Sequence, residues 1–337
     1  HTACLITSVH VTSIAEPKQM EYEMRQHTLK TPYSVGEVHC YSTEVDGKLI
    51  LFDSGPPSEE AFIELKSQLD LSRLQYIFIT HCHIDHYGLV PRICDYSGAR
   101  VFIPRNEAAK YRHWPEYQND LVNLLSELGC NEQTTTHIRE TNERDYLATT
   151  GDLKYYEITE YSEVATQLGI KYLNCAGHSQ SDLVYILGDH AVTGDILLRN
   201  IFQEPFLDIN TSDFSGRFRT YDSYCNSLQS LAQIRGLHIH PGHRRYVKDI
   251  DECILLYVRK VLDLATRIKE LTPSESINVT VKALFGDIFN KSFLVYAKIS
   301  EIVFIMDFIE NPDLLKASLE YLGIFDSVRN PYYAVVC

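Results

Sequence analysis

Leu74-Gln75-Tyr76-Ile77-Phe78-Ile79-Thr80 runs without a break into His81-Cys82-His83-Ile84-Asp85-His86-Tyr87-Gly88. The first half is β-rich and too apolar to face water, the pattern of a strand buried in a layered sheet. The second half sets three imidazoles and a carboxylate within six residues. A rigid strand can deliver such a loop with all four groups facing one centre, which is what a metal ion with nitrogen and oxygen ligands requires. One histidine in this place would read as an ordinary hydrogen-bonded side chain, whereas the cluster reads as a metal site. Cys82 alternates away from its neighbours and reads as structural rather than as a nucleophile.

Upstream, Val38, Tyr41 and Thr43 lead to Gly47, and Lys48-Leu49-Ile50-Leu51-Phe52 runs into Asp53-Ser54-Gly55-Pro56-Pro57. This is a strand pair about a turn, with an acidic residue at its exit. Ala61, Phe62, Leu65 and Leu69 then repeat with helical spacing before the 74–80 strand. Strand, helix, buried strand is the grammar of an α/β layered fold. Downstream, the pattern predicts a helix over 87–98 closed by Gly98 and a short strand over 100–103. A polar, mostly helical stretch over 105–150 reads as an insertion or lid. Strands are predicted over 154–159, 169–174, 183–187 and 191–193, and a helix over 219–235 supported by Tyr224, Leu228, Leu231 and Ile234.

Past residue 250 the periodicity is purely helical. Ile254, Val258, Val261, Ala265 and Ile268 fall on one stripe, as an amphipathic helix requires. Thr272-Pro273-Ser274-Glu275 reads as a capping box with proline at the first helical position, and two more helices are predicted near 295–309 and 313–322. The organisation is an α/β body over 1–250 and a helical C-terminal extension over 251–337.

Further ligand candidates stand at predicted strand ends: His178 in Ala176-Gly177-His178-Ser179, Asp195 in Val192-Thr193-Gly194-Asp195, and His243 in His240-Pro241-Gly242-His243. A glycine beside each lets the backbone pass close to a crowded centre, and strand-end sites of this kind can converge at one edge of a layered sheet. His113, His137, His238 and His240 read as ordinary surface or core histidines.

Composition narrows the chemistry. With 31 basic and 45 acidic side chains among 337 residues, the net charge is -14, which repels a phosphate backbone and disfavours nucleic acid as a partner. Hydrophobic residues make up 45% without repeats, which excludes disordered, collagen-like and coiled-coil classes. No stretch approaches the roughly 20 apolar residues of a membrane span, so no membrane partner is expected. Nine scattered cysteines, an odd total, suit reduced thiols, and with no export pattern at the start the expected location is cytoplasmic.

The order of Asp53, the His81 to His86 cluster, His178, Asp195 and His243 resembles the metallo-β-lactamase superfamily over roughly residues 1–250. The resemblance implies a four-layer αββα sandwich with a dinuclear site in the groove at the sheet edges. It implies that His81, His83 and His178 bind a first metal, that Asp85, His86 and His243 bind a second, and that Asp195 bridges them. Asp53 would orient a histidine. The cofactor would be two divalent ions, zinc before iron or manganese, acting through a metal-bound hydroxide, with Asp85 also helping to handle the proton.

Within the family, the layout resembles glyoxalase II and the quinolone-signal response thioesterase. His83 stands where flavodiiron relatives carry Glu, and Asp195 where many dinuclear β-lactamases carry Cys. The expected activity is therefore that of a thioesterase or lactonase, cleaving an ester, thioester or lactone of a small molecule. Tyr221 and Tyr224 lie where lactonase relatives place an oxyanion-assisting tyrosine, and Tyr221 joins Asp85 and Asp195 as a catalytic candidate. Phe285, Phe289, Phe293, Tyr296, Phe304 and Phe308 form either the core of the helical tail or an apolar groove for an acyl or aromatic group. Two alternatives stay open: a regulatory or binding protein that retains the metal site and acts through its helical tail, and a phosphodiesterase. A homodimer through the last helices is also left open.

Overall fold

The structure, a computed structural model, describes residues 21–149, 156–271, 276–288 and 292–337. The first of its sheets runs in the order β1 (Arg25–Leu29), β2 (Val38–Val45), β3 (Lys48–Phe52), β4 (Leu74–Phe78), β5 (Arg100–Ile103) and β6 (Tyr156–Ile158). Pairing is antiparallel from β1 to β3 and parallel from β3 to β6. The second sheet holds β7 (Lys171–Asn174), β8 (Leu183–Leu187), β9 (His190–Gly194) and β10 (His238–Pro241) in reverse order, with β9 and β10 parallel and the other pairs antiparallel.

Period-two alternation builds the layers. Ile50, Phe52, Phe78 and Phe102 point toward Leu183, Tyr185, Leu187 and Val192 and form the core between the sheets. Their neighbours Leu49, Leu51, Ile77, Val101 and Ile103 point the other way, into a core under helices. Both faces of β3 to β5 are thus buried, which explains their continuous apolar text. Burying each phenylalanine contributes roughly 1.5–3 kcal/mol, and the Phe78 and Phe102 rings stack at 4.8 Å. The result is the expected αββα sandwich.

Over the first sheet lie α1 (Glu59–Gln68), α2 (Ile84–Tyr87), α3 (Val90–Ser97), α4 (Arg105–Arg112), α5 (Trp114–Glu127) and α6 (Glu132–Thr149). Ala61, Phe62, Leu65 and Leu69 bury as their spacing required, and left-handed Gly98 ends α3. The short α7 (Glu163–Gln167) precedes β7. The second sheet is covered by α8 (Thr220–Leu231) and α9 (Ile250–Lys269), whose stripes Tyr224, Leu228, Leu231 and Ile254, Val258, Val261, Ala265 share one core.

The remaining helices are α10 (Ile277–Phe285), α11 (Ser292–Glu310), α12 (Pro312–Leu322) and α13 (Arg329–Val336). One side of α11 gives Val295, Ile299 and Val303 to the first helical core, beside Trp114, Leu121 and Leu125 of α5. Its other side gives Phe304, Ile305 and Phe308 to the second. A helix buried between two cores is apolar nearly all round. Helices α5 and α6 and the C-terminal helices therefore pack on one another.

Sequence reading missed β1, β10 and α13. The Thr272-Pro273-Ser274-Glu275 capping box, Phe289 and residues 154–155 of the expected strand lie outside the described residues. Among the described residues, no helix is long and apolar enough to cross a membrane.

Candidate metal centre

Five strands end at the same edge of the sandwich, and each delivers part of the site. Asp53 follows β3, the His81 to His86 loop follows β4, His178 follows β7, Asp195 follows β9, and His243 follows β10. Hydrogen bonds sew the two sheets together here: the Leu183 N–H donates to the Thr80 carbonyl at 2.9 Å, the His39 N–H to the Gly242 carbonyl at 2.7 Å, and the Tyr185 hydroxyl to the Ile79 carbonyl at 3.0 Å.

Two pockets result. In the first, His83 Nδ1 lies 3.1 Å from His81 Nε2 and 2.9 Å from His178 Nε2. In the second, His243 Nε2 lies 3.2 Å from Asp85 Oδ2 and 3.3 Å from His86 Nε2. Asp195 reaches both, with Oδ1 3.4 Å from His86 Nε2 and Oδ2 3.4 Å from His243 Nε2 and 3.7 Å from His178 Nε2. Ligands 2.0–2.1 Å from a tetrahedral metal stand about 3.3–3.4 Å from one another, so this spacing is what a coordination shell needs.

The outer nitrogens explain why the inner ones are free. His243 Nδ1 donates to the Glu37 carbonyl at 2.7 Å, and His178 Nδ1 to the Glu204 carbonyl at 2.8 Å. His86 Nδ1 donates to Asp53 Oδ2 at 2.9 Å. The Thr80 hydroxyl donates to Asp53 Oδ2 at 2.9 Å, which leaves its oxygen to accept from His81 Nδ1 at 3.1 Å. Each bond fixes a tautomer whose Nε2 lone pair points inward. Asp53 thereby sets two ligands, one directly and one through Thr80. It does so from a left-handed backbone at φ 59°, a conformation that aspartate tolerates better than most residues.

Converging lone pairs repel unless a proton or a metal cation sits among them. Asp195 Oδ1 is buried without a hydrogen-bond donor, and such an orphan calls for a partner of positive charge. Burial, helped by the neighbouring imidazoles, pushes His81 and His83 well below the ordinary histidine pKa, the neutral state a ligand needs. At His86 burial pulls down, but Asp195, Asp85 and Asp53 outweigh it and hold the imidazole well above its usual range. Burial likewise opposes ionisation of Asp195, and His243 and His86 overcome it. The residues therefore fit divalent cations.

Two glycines make the crowding tolerable. A Cβ at Gly242 would stand 2.4 Å from Asp195 Oδ1 and 2.5 Å from His86 Cε1. One at Gly194, where φ is +51°, would stand 2.6 Å from Thr80 Oγ1.

The structure gathers all seven expected ligands, with Asp53 behind them, and corrects Tyr221. That side chain is fully buried; its hydroxyl donates to the Asn311 carbonyl at 2.9 Å and accepts from the Leu315 N–H at 3.1 Å. It closes the start of α12 and packs on Phe304 and Phe308, so it serves the core and not an oxyanion. The tail aromatics divide. Phe304 and Phe308 are core, while Phe293, 59% exposed, lies 5.7 Å from Phe206, whose ring is 5.0 Å from His83 and 5.4 Å from His178.

Sequence reading missed Phe206, Glu204 and Asp182. Asp182 Oδ2 accepts from the backbone N–H groups of Gly177, His178 and Ser179 at 2.8–3.1 Å and so shapes the His178 turn. An aspartate four residues after His178 is the signal that could have found it.

The description "Metallo-beta-lactamase superfamily" fits a family model that matches residues 33–209. Probable metallo-hydrolase YqjP of Bacillus subtilis (strain 168) is 27% identical over 237 residues, covering 66% of this chain and 72% of that protein. Endoribonuclease ysh1 of Emericella nidulans is 29% identical over 139 residues, covering 40% of this chain and only 15% of that protein. Among solved structures, a metallo-beta-lactamase family protein from Thermus thermophilus superposes with a TM-score of 0.66 at 20% identity, covering 84% of this chain and 93% of that one. Since the matched segment takes in more than half the chain and carries most of the ligands described above, this protein belongs to the metallo-β-lactamase superfamily.

Proposed function

We propose that the chain is a dinuclear metal-dependent hydrolase that cleaves an ester, thioester or lactone of a small molecule. The observation that carries this reading is Asp195, which stands between the pockets: Oδ2 lies 3.7 Å from His178 Nε2 on one side and 3.4 Å from His243 Nε2 on the other, and Oδ1 lies 3.4 Å from His86 Nε2. His81, His83 and His178 would hold one ion, and Asp85, His86 and His243 the other, with Asp195 shared. A pair of divalent ions, when bound, activates water and polarises an acyl carbonyl; zinc, iron and manganese all suit these ligands.

The chain's own groups supply the rest. Asp85 stands among these ligands with Oδ2 3.2 Å from His243 Nε2, where its carboxylate would be within reach to take a proton from the attacking water and pass it to the leaving group. Phe206 and Phe293 offer an apolar wall beside His83 and His178 for an acyl or aromatic group.

The test pairs metal analysis with turnover of thioester and lactone probes by wild type and Asp195→Ala. About two metals per chain in wild type, with hydrolysis falling at least about 1,000-fold in the variant, is the expected outcome. Equal hydrolysis by both would overturn the reading. A second reading, phosphodiester cleavage, is favoured by the likeness to the endoribonuclease and disfavoured by the net charge of -14. Turnover of bis-p-nitrophenyl phosphate in preference to the acyl probes would select it.

A further inference from the structure

Ligand His178 is braced by a segment that has no secondary structure of its own. The Glu204 carbonyl accepts from His178 Nδ1 at 2.8 Å, and the Phe206 N–H donates to the His178 carbonyl at 3.0 Å. Phe206 also lays its ring against the imidazole. Asp182 holds the His178 backbone from the other side, so the ring orientation of this ligand is what residues 204–206 set.

Helix α11 anchors that segment, beside the Thr220 hydroxyl of α8, which donates to the Phe206 carbonyl at 3.3 Å. Lys298 Nζ donates at 2.7 Å to Glu204 Oε1 and at 2.7 Å to Glu301 Oε2, the latter on its own helix. The Tyr296 hydroxyl donates to the Leu207 carbonyl, and farther along Arg217 grips Asp307 with two bonds of 2.7 and 2.8 Å. Glu301 is fully buried. Glu204 Oε2 and Glu301 Oε1 are buried without hydrogen-bond partners, so the one ammonium must serve two carboxylates. Removing it would leave buried Glu301 facing the partly buried Glu204 carboxylate with no cation between them, which favours separation. The element free to move is the loop.

We infer that Lys298 is a positioning residue for the metal centre: through Glu204 it sets the orientation of His178, so α11 of the C-terminal extension tunes the affinity of the His81, His83, His178 pocket without touching a ligand. The inference rests on the metal-centre reading above. It also separates the two pockets, because His86 and His243 are oriented by Asp53 and Glu37, and neither of these lies on α11.

The experiment titrates apoprotein with Co(II), followed by its visible absorption, and with Zn(II) against a chelator, in wild type, Lys298→Met, Lys298→Arg and Lys316→Met. Lys316 is another lysine of the tail, 4.0 Å from Glu320, and serves as control. Expected is a loss of about 10- to 100-fold in affinity for one of two ions in Lys298→Met, with the other ion unchanged. Lys298→Arg should recover most of it, and Lys316→Met should match wild type. A merely structural lysine would lower the apoprotein Tm and leave both affinities alone, and that result overturns the inference. Equal weakening of both ions overturns it too. If Lys298→Met does not fold, Glu204→Gln, which keeps the carbonyl and weakens only the anchor, should shift the same ion in the same direction; no shift there refutes the proposal. Wild type that binds no metal would instead refute the centre itself.

Discussion

His190 and His240 lie on the same two parallel strands that deliver Asp195 and His243, yet the two ends of those strands do opposite things with the same side chain. At the far end His190 Nε2 donates to the Tyr22 carbonyl at 2.9 Å, which leaves Nδ1 to accept from His240 Nε2 at 2.9 Å. The lone pair of His190 is consumed by the proton of His240, and no set of lone pairs converges on a common point among the described residues at that end. At the metal end the outer nitrogens of His81, His86, His178 and His243 are all taken by oxygens, and the inner lone pairs have only one another. What makes a site here is where the second nitrogen of each ring is anchored. Histidine content alone does not decide it.

The largest effect should come from Asp53. Its carboxylate receives the Thr80 N–H, the Thr80 hydroxyl and His86 Nδ1–H, and Asn in its place offers a single acceptor oxygen. Asp53→Asn should free two ligand rings at once and weaken metal binding by about 10- to 100-fold, with hydrolysis falling in step. His190→Gln, at the other end, should leave affinity at the wild-type value. Competition titration against a chelator reads both, and similar losses in the two variants would erase the contrast.

Gly242→Ala should come next. The new Cβ would overlap Asp195 Oδ1 and His86 Cε1, and overpacking of this kind costs roughly 1–3 kcal/mol. Thermal unfolding of the apoprotein should show that loss, and metal affinity should drop by about tenfold as the two ligands give way. An unchanged Tm and affinity would mean that the Gly242 segment relaxes and that the crowding sets nothing.

Much of this was legible in the residues, and what was hidden was hidden for physical reasons. The His81 to His86 cluster and the apolar run before it announce site and strand together, because a strand buried on both faces needs no alternation to be recognised. By contrast β1 reads Arg25-Gln26-His27-Thr28-Leu29 at the sheet edge, and β10 reads His238-Ile239-His240-Pro241 with a proline that only an edge tolerates. Tyr221 misled because a tyrosine at helical spacing serves a core as well as a site, and its hydroxyl had local partners in α12. Glu204 orients His178 through a carbonyl that every residue carries, so no side-chain pattern could mark it. Asp53 was readable because its effect runs through its own carboxylate.

The smallest effect is the most direct check on the far cluster. Burial, followed by the nearby His190 and His238, lowers the His240 pKa from 6.5 to about 4, against the attraction of Asp189. The unfolded chain takes up this proton as pH falls through 6.5, and the folded chain does not until about 4. In that window the unfolded state binds more protons, so stability is full above 6.5 and declines as the pH drops toward 4, by at most on the order of 3 kcal/mol. His240→Gln removes the proton but keeps a donor for His190 Nδ1. Apoprotein Tm measured from pH 7.5 to 4.5 should therefore fall less steeply in the variant, and parallel curves would refute the assignment. A metal ion should not restore the wild-type slope, because among the described residues no group of three potential ligands gathers at this end. At the other end the carboxylates around His86 favour positive charge on the ring, so there acid and metal compete for the same nitrogens.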